Sequence, residues 1–157
     1  MIDVGGSLGS MLARILRANP QIAGGVVFDL PEVVQLAKAT WSTQHADLLS
    51  SRRVEFVPGS FLAPGDLPAA ADGDVFFLRH IVHDWPDKET ATILRNLRTA
   101  IGSAKATVVL IETAPRTTKA RKSELTFQPL IDSEAARRET FSLSCWPANT
   151  LIKVLTL

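Results

Sequence analysis

The sequence has little excess charge and almost no cysteine. Its 157 residues carry 17 Lys and Arg against 16 Asp and Glu, a formal charge of +1. A nucleic-acid binder needs a basic surface to neutralise several phosphates, so this balance argues against nucleic-acid binding. The single cysteine, Cys145, can form neither an internal disulfide nor a structural zinc site. Nothing here requires an oxidising compartment.

Long apolar runs and low-complexity stretches are also absent. No run approaches the roughly 18 residues of a membrane-spanning helix, and the first residues do not resemble an export signal. Nine Gly and nine Pro are too few for a collagen-like or low-complexity chain, and 46% hydrophobic with 21% charged residues is near the globular average. We therefore expect one cytoplasmic globular domain without membrane association.

Short apolar runs alternate with helical patterns along the first two thirds of the chain. Strands are predicted at residues 1–4, 25–29, 54–57, 74–81 and 106–112. One predicted helix carries apolar residues on one face from Ile93 to Ile101, with Asp84 or Asp87 as its N-cap. Strands alternating with helices predict a doubly wound, mostly parallel α/β sheet. Ligands of such sheets bind at the carboxyl ends of the strands.

The pattern weakens after residue 115. Residues 115–125 are polar and basic, which is typical of a surface loop or linker. Beyond them the sequence predicts a helix at 132–140 and a strand at 151–155. We divide the chain into an α/β domain, residues 1–115, and a C-terminal remainder of the same domain, residues 116–157.

A glycine turn follows the first predicted strand in Asp-Val-Gly-Gly-Ser-Leu-Gly, residues 3–9. Glycine lets a ligand approach the backbone, and the N–H groups of the next helix point outward there. The dinucleotide fingerprint would need glycine where this chain has Ser7 and Ser10, which weakens a nicotinamide interpretation, and no P-loop Gly-Lys-Ser/Thr follows. A plain tight turn is the alternative.

Asp29 ends the second predicted strand, about 20 residues after the glycine turn. A carboxylate at this place can accept hydrogen bonds from both hydroxyls of an adenosine ribose. NAD and S-adenosylmethionine both contain such a ribose. The alternative is that Asp29 caps the next helix.

His83 follows the fourth predicted strand, at the ligand-binding rim. Its imidazole can take a proton from a substrate hydroxyl as that oxygen attacks an electrophile. The alternatives are a core histidine, or a metal pair with His80 that lacks further ligands. Glu112 ends the fifth strand, where its carboxylate can hold the imidazole N–H; a solvated strand end is the alternative.

Six motifs in order resemble the S-adenosylmethionine-dependent O-methyltransferases of fungal and plant secondary metabolism. They are Asp-Val-Gly-Gly-Ser-x-Gly, Val-Phe-Asp-Leu-Pro, Val-x-Phe-Val-Pro-Gly-Ser-Phe, Leu-Arg-His-Ile-Val-His-Asp-Trp-Pro-Asp, Ile-Leu-Arg-Asn-Leu and Leu-Ile-Glu, within residues 1–115. The resemblance implies a Rossmann-like fold of the class I methyltransferase type and S-adenosylmethionine as cofactor. It also implies methyl transfer to a hydroxylated aromatic small molecule, no metal, and a homodimer in full-length members.

The resemblance also implies roles for individual residues. Glycines of the turn would line the methionine end of the cofactor, Asp29 would bind the ribose, and His83 would be the general base flanked by Glu112. The implied cofactor-binding residues are Gly5, Gly6, Asp29, Leu30, Ser60, Phe61 and Arg79. Leu30 and Phe61 would lie beside the adenine.

The chain departs from the family pattern in three ways. Ser60 stands where the family commonly has an Asp that contacts adenine, residues from 116 onward match poorly, and the family's N-terminal helical domain precedes the region that matches here. We therefore expect a truncated catalytic domain whose sheet lacks its antiparallel edge strand and one covering helix, and which is marginally stable and self-associating. The alternative functions are a non-catalytic cofactor-binding remnant or interaction partner of a full-length relative, and a nicotinamide-dependent oxidoreductase, which Ser7 and Ser10 disfavour.

Overall fold

The computed structural model describes residues 1–113, 137–139 and 150–156, whose strands form one seven-stranded sheet. The strands are β1 (Ile2–Val4), β2 (Gly25–Asp29), β3 (Val54–Pro58), β4 (Val75–Arg79), β5 (Thr107–Thr113), β6 (Arg137–Glu139) and β7 (Thr150–Thr156). Their order is β3-β2-β1-β4-β5-β7-β6. Strands β1 to β5 are parallel, and β7 is antiparallel to both of its neighbours. The predicted doubly wound, mostly parallel α/β sheet is confirmed.

Helices cover both faces of this sheet. They are α1 (Ser10–Ala18), α2 (Pro31–Gln44), α3 (Ala46–Ser50) and α4 (Asp87–Ile101), and a 3-10 turn at Val82–Asp84 precedes α4. Successive side chains of a strand point to opposite faces. On β2, Val27 packs in the cluster that holds α1 and α2, whereas Phe28 packs in the cluster that holds α4. Since both faces are occupied, a ligand site falls at the edge where the strands end.

Helix α4 has the predicted buried face but not the predicted start. Ile93 and Leu97 are fully buried, as the spacing predicts. The N-cap is Pro86, which makes no side-chain cap, so neither Asp84 nor Asp87 holds that position. Asp87 is instead the first helical residue, where a carboxylate interacts favourably with the positive end of the helix dipole.

The antiparallel part of the sheet corrects two expectations. Strand β7 pairs with β5 along its whole length, from Thr107 opposite Thr156 to Thr113 opposite Thr150. The expectation of a missing antiparallel edge strand is therefore wrong, while the strand predicted at 151–155 is confirmed. Of the helix predicted at 132–140, residues 137–139 form β6, and 132–136 and 140 lie outside the described residues. The whole of the loop predicted at 115–125 also lies outside them.

A search of the described helices finds none that is both long enough and apolar enough to cross a lipid bilayer.

Candidate active site

The predicted site residues follow the carboxyl ends of β1, β2, β3, β4 and β5, all at one edge of the sheet. This common position follows from the parallel arrangement of these strands. Two groups of residues can be distinguished there. One surrounds the glycine turn after β1, and the other surrounds the 3-10 turn after β4.

Gly5 and Gly6 are required at the glycine turn by close packing. Gly5 has a φ of +67°, and a Cβ at this residue would lie 2.5 Å from Cδ1 of Ile81. A Cβ on Gly6 would lie 2.9 Å from Cγ of Asp3. Real Cβ contacts are not this short, so any side chain here would displace the turn or its neighbours. The N–H of Gly5 donates to the carbonyl of Phe28 at 2.8 Å, which fixes the turn against β2.

Asp29 holds the glycine turn from the end of β2. Its Oδ2 accepts a hydrogen bond from the N–H of Ser7 at 2.7 Å, and its Oδ1 accepts one from the N–H of Leu30 at 2.8 Å. The N-cap of α2 is Leu30, so the helix-cap alternative for Asp29 is wrong. Ser7 itself has a φ of 53°, a left-handed conformation that this carboxylate bond helps to hold. Asp29 thus links two of the elements that would contact a cofactor.

A cavity of about 270 Å³ opens beside the glycine turn. It is lined by Asp3, Gly5, Gly6, Ser7, Leu8, Ser10, Met11, Phe77 and Arg79. At its wall Asp3 is only 4% exposed, and its Oδ2 makes no hydrogen bond. Burial, aided by the negative charge of Asp29, raises the pKa of Asp3 to about 7, while the Arg79 guanidinium opposes that rise. A buried carboxylate oxygen without a donor is an acceptor available to a ligand.

Asp3 has no predicted role in the sequence analysis, although it belongs to the motif that was recognised. The signal was a carboxylate inside an otherwise apolar strand, immediately before a glycine turn. Phe77 and Met11 line the same cavity and come from other elements. The cavity could therefore not be inferred from the motif alone.

Ser60 and Phe61 lie in the loop after β3. The N–H of Ser60 donates to Oδ2 of Asp66 at 2.9 Å, and its hydroxyl accepts from the N–H of Leu62 at 3.2 Å. The rings of Phe61 and Trp85 pack edge to face with their centroids 5.7 Å apart. Phe61 is also close to the glycine turn, since a Cβ on Gly5 would lie 3.5 Å from its ring. Phe61 thus joins the two groups of the site, whereas Ser60 is bonded within its own loop.

His83 and Glu112 form a hydrogen-bonded pair at the other group. Nδ1 of His83 lies 2.6 Å from Oε2 of Glu112, and Oε1 of Glu112 accepts from the N–H groups of Ile81 and Val82 at 3.2 and 2.8 Å. Glu112 is 8% exposed, so the solvated strand-end alternative is wrong. The side chain of His83 is 41% exposed, so the core-histidine alternative is wrong too.

This pair fixes the chemistry available to the imidazole. A carboxylate at Nδ1 holds the proton on that nitrogen and leaves the lone pair on Nε2. Nε2 lies 3.1 Å from Oδ1 of Asp84, and this 70% exposed side chain must turn away before a substrate hydroxyl can reach the lone pair. The arrangement can remove a proton from a hydroxyl presented at the rim and stabilise the imidazolium that results.

A parallel sheet in this strand order, with a glycine turn after β1 and an acidic residue ending β2, defines a Rossmann-like cofactor-binding domain. The chain belongs to the O-methyltransferase domain family, whose model matches residues 1–140. The resemblance that the motifs indicated is thereby confirmed. The division of the chain at residue 115 stays a prediction.

Individual relatives agree with this assignment. A dual O-methyltransferase/FAD-dependent monooxygenase of Phaeosphaeria nodorum is 40% identical over 113 residues, which cover 72% of this chain and 12% of that protein. The O-demethylpuromycin-O-methyltransferase of Streptomyces alboniger is 40% identical over 114 residues, covering 71% and 27%. Among solved structures, the mitomycin 7-O-methyltransferase MmcR superposes with a TM-score of 0.75 at 26% identity, covering 99% of this chain and 48% of that one. The chain thus spans less than half the length of each of these three proteins.

Proposed function

We propose that this domain binds S-adenosylmethionine at the glycine turn and directs its methyl group to a hydroxyl of an aromatic small molecule. The observation that carries the proposal is the His83–Glu112 pair, located at the same sheet edge as the glycine turn and Asp29. Both halves of the reaction, a cofactor site and a base, are therefore adjacent. A relative named phenazine O-methyltransferase PhzM, of Lysobacter antibioticus, supports an aromatic acceptor.

The glycine turn and its cavity fit the methionine end of the cofactor. That end carries an α-ammonium and an α-carboxylate. Asp3 offers an unbonded carboxylate oxygen for the ammonium, and Arg79 lines the same cavity with the opposite charge for the carboxylate. Gly5 and Gly6 leave no side chain in the approach to the backbone.

The adenosine end is assigned to residues beyond β2 and β3. The oxygens of Asp29 lie at the rim, where they would accept from the ribose hydroxyls. Leu30 is 44% exposed and Phe61 presents a ring near the turn, and both suit the flat apolar face of adenine. Ser60 offers a hydroxyl in the same loop. The proposed cofactor residues are therefore Gly5, Gly6, Asp29, Leu30, Ser60, Phe61 and Arg79.

In this reaction the cofactor supplies a methyl group already activated on a sulfonium. The protein must align the acceptor oxygen with that methyl and remove the hydroxyl proton. His83 takes the proton at Nε2, and Glu112 holds Nδ1–H and stabilises the positive ring.

Calorimetric titration and a transfer assay test the two halves separately. We expect heat on titration with S-adenosylmethionine or its demethylated product and little with NAD. Labelled S-adenosylmethionine should pass its methyl group to a member of a phenol panel. Tighter binding of NAD would contradict the cofactor assignment. Cofactor binding without transfer to any phenol would favour the non-catalytic alternative.

A further inference from the structure

Three side chains that ligate metals meet at the ends of β4 and β5. His80, His83 and Glu112 each offer one donor atom, and these atoms lie within 4.8 Å of one another. Two imidazoles and one carboxylate are the protein ligands of a common type of zinc site that keeps a fourth position for water. In the sequence alone, the histidine pair lacks a third ligand. The fold supplies that ligand from β5.

The backbone positions the two histidines for a shared ion. His80 has a φ of 56°, and its N–H donates to the carbonyl of Ile111 at 2.9 Å. This left-handed residue turns the chain out of β4 and into the 3-10 turn. The ring centroids of His80 and His83 are then 5.7 Å apart at an angle of 80°. Because His83 is partly exposed, an ion can reach the cluster from solvent.

We propose that His80, His83 and Glu112 bind a transition-metal dication such as Zn²⁺ reversibly, and that the bound ion switches off the base. A neutral imidazole has one nitrogen with a lone pair, and its other nitrogen carries the proton. Glu112 lies at Nδ1 of His83, so an ion bound by both residues takes the lone pair of Nδ1, and the ring proton moves to Nε2. With Nε2 protonated, the ring can no longer accept a substrate proton. The inhibitory part rests on the proposed methyl transfer, whereas the binding part does not.

Calorimetry on the full chain tests the binding. Zn²⁺ is titrated into a Cys145→Ser background, because the single thiol would compete for the ion. We expect one site, which His80→Asn weakens by at least about tenfold. Asparagine tolerates the left-handed backbone conformation of residue 80, so the substitution removes the ligand with little strain. Mg²⁺, which prefers oxygen ligands, should give no matching heat. Equal zinc affinity in His80→Asn would overturn the proposal.

Proton NMR gives a second measurement that needs no variant at the cluster. The chain has three histidines, and the third, His45, lies at the end of α2 near Arg17. Zn²⁺ should shift the imidazole resonances of His80 and His83 and leave that of His45, assigned with His45→Gln, in place. A shift of His45 alone, or of none, would contradict the site.

The transfer assay separates the two proposals. Zn²⁺ should inhibit the Cys145→Ser protein, a chelator should restore it, and Cys145→Ser carrying His80→Asn should resist. If zinc binds at the cluster but no transfer occurs at any zinc concentration, the proposed function fails and the metal site stands. If zinc binds there and transfer continues undiminished, the inhibitory inference is wrong.

Discussion

Two buried carboxylates at the same edge of the sheet have opposite surroundings. Asp3 in β1 is 4% exposed and Glu112 in β5 is 8% exposed, so burial hardly distinguishes them. Glu112 accepts hydrogen bonds from two backbone N–H groups and contacts His83. Asp3, which lines a cavity, has a buried oxygen without any donor.

This difference in hydrogen bonding indicates different roles for Asp3 and Glu112. A buried carboxylate that is fully bonded rigidifies its surroundings, because each bond offsets part of the cost of removing the charge from water. Glu112 therefore holds a preformed base. For a buried carboxylate oxygen that lacks a donor, most of the free-energy cost of desolvation is not offset until a ligand supplies a hydrogen-bond donor. Asp3 is thus suited to recognition, and its raised pKa records the cost.

The largest expected effect is a loss of methyl-transfer rate when the His83–Glu112 pair is changed. Replacing His83 by Ala should lower methyl transfer by about 10² to 10⁴-fold, the usual loss on removing a general base, with cofactor affinity unchanged. Glu112→Gln should lose less, because the glutamine still bonds the 3-10 turn but cannot stabilise the imidazolium. Transfer rates and calorimetric affinities are measured on the same samples. Near-full turnover in His83→Ala would assign the base to another residue.

The next effect is on folding stability: at pH 8, neutralising Asp3 should stabilise the protein, whereas neutralising Glu112 should destabilise it. The pKa of Asp3 rises on folding from its ordinary 3.8 to about 7. The unfolded chain therefore releases this proton first, and the contribution of Asp3 to folding falls as pH rises from about 4 to about 7. Asp3→Asn should remove that fall and stabilise the protein at pH 8 by up to a few kcal/mol, with little gain at pH 4.

Glu112→Gln is the matched comparison for that experiment. It weakens bonds that are already made and should lower stability, by about 1 kcal/mol. Denaturant titrations at pH 4 and pH 8 measure both variants. A loss of stability in Asp3→Asn at pH 8 would mean that Asp3 is better satisfied than its geometry indicates.

The sequence predicted the parallel part of the fold well because that part is encoded locally. Each strand from β1 to β5 is a short apolar run, and each is followed by a segment that forms a helix or turn. The antiparallel pairing of β5 with β7 joins Thr107–Thr113 to Thr150–Thr156, across a long stretch of weak pattern. No local signal specifies such a partner, so the strand at 151–155 was predicted without its place in the sheet.

The candidate site was predictable to the same extent. The motifs led to Asp29, His83 and Glu112 because each follows an apolar strand at the edge where ligands bind. The roles of Asp3 and His80 depend on contacts between elements. Asp3 becomes notable only in the fold, where it is buried beside a cavity that Met11 and Phe77 also line. His80 becomes notable only when the left-handed turn brings it near Glu112. Periodicity and spacing do not contain that information.

A smaller effect is expected from Asp29. Asp29→Ala should weaken S-adenosylmethionine binding by about 1 to 3 kcal/mol, because it leaves polar groups unpaired and releases the glycine turn at Ser7. Asp47→Ala is a suitable control, since Asp47 in α3 forms an exposed ion pair with Arg17 near the C-terminal end of α1. Calorimetry of both variants provides the measurement. Equal losses in the two would point to general destabilisation rather than to a ribose contact.

The smallest effect tests directly whether Asp3 is a receptor for the cofactor ammonium. If only the ionised carboxylate binds that group, the apparent affinity scales with the ionised fraction, which rises through the folded pKa of about 7. Between pH 5.5 and pH 7 affinity should therefore increase by roughly fifteenfold, and binding at pH 6 should release protons. The range stops at pH 7 because an α-amino group loses its own proton at about pH 7.7 to 8.0.

Asp3→Asn should bind more weakly at pH 7 and show no such rise. Titrations in two buffers of different ionisation heat measure the released protons. If affinity and proton release were independent of pH in the unsubstituted protein, Asp3 would be a buried acid without a role in recognition, and its contrast with Glu112 would concern stability alone.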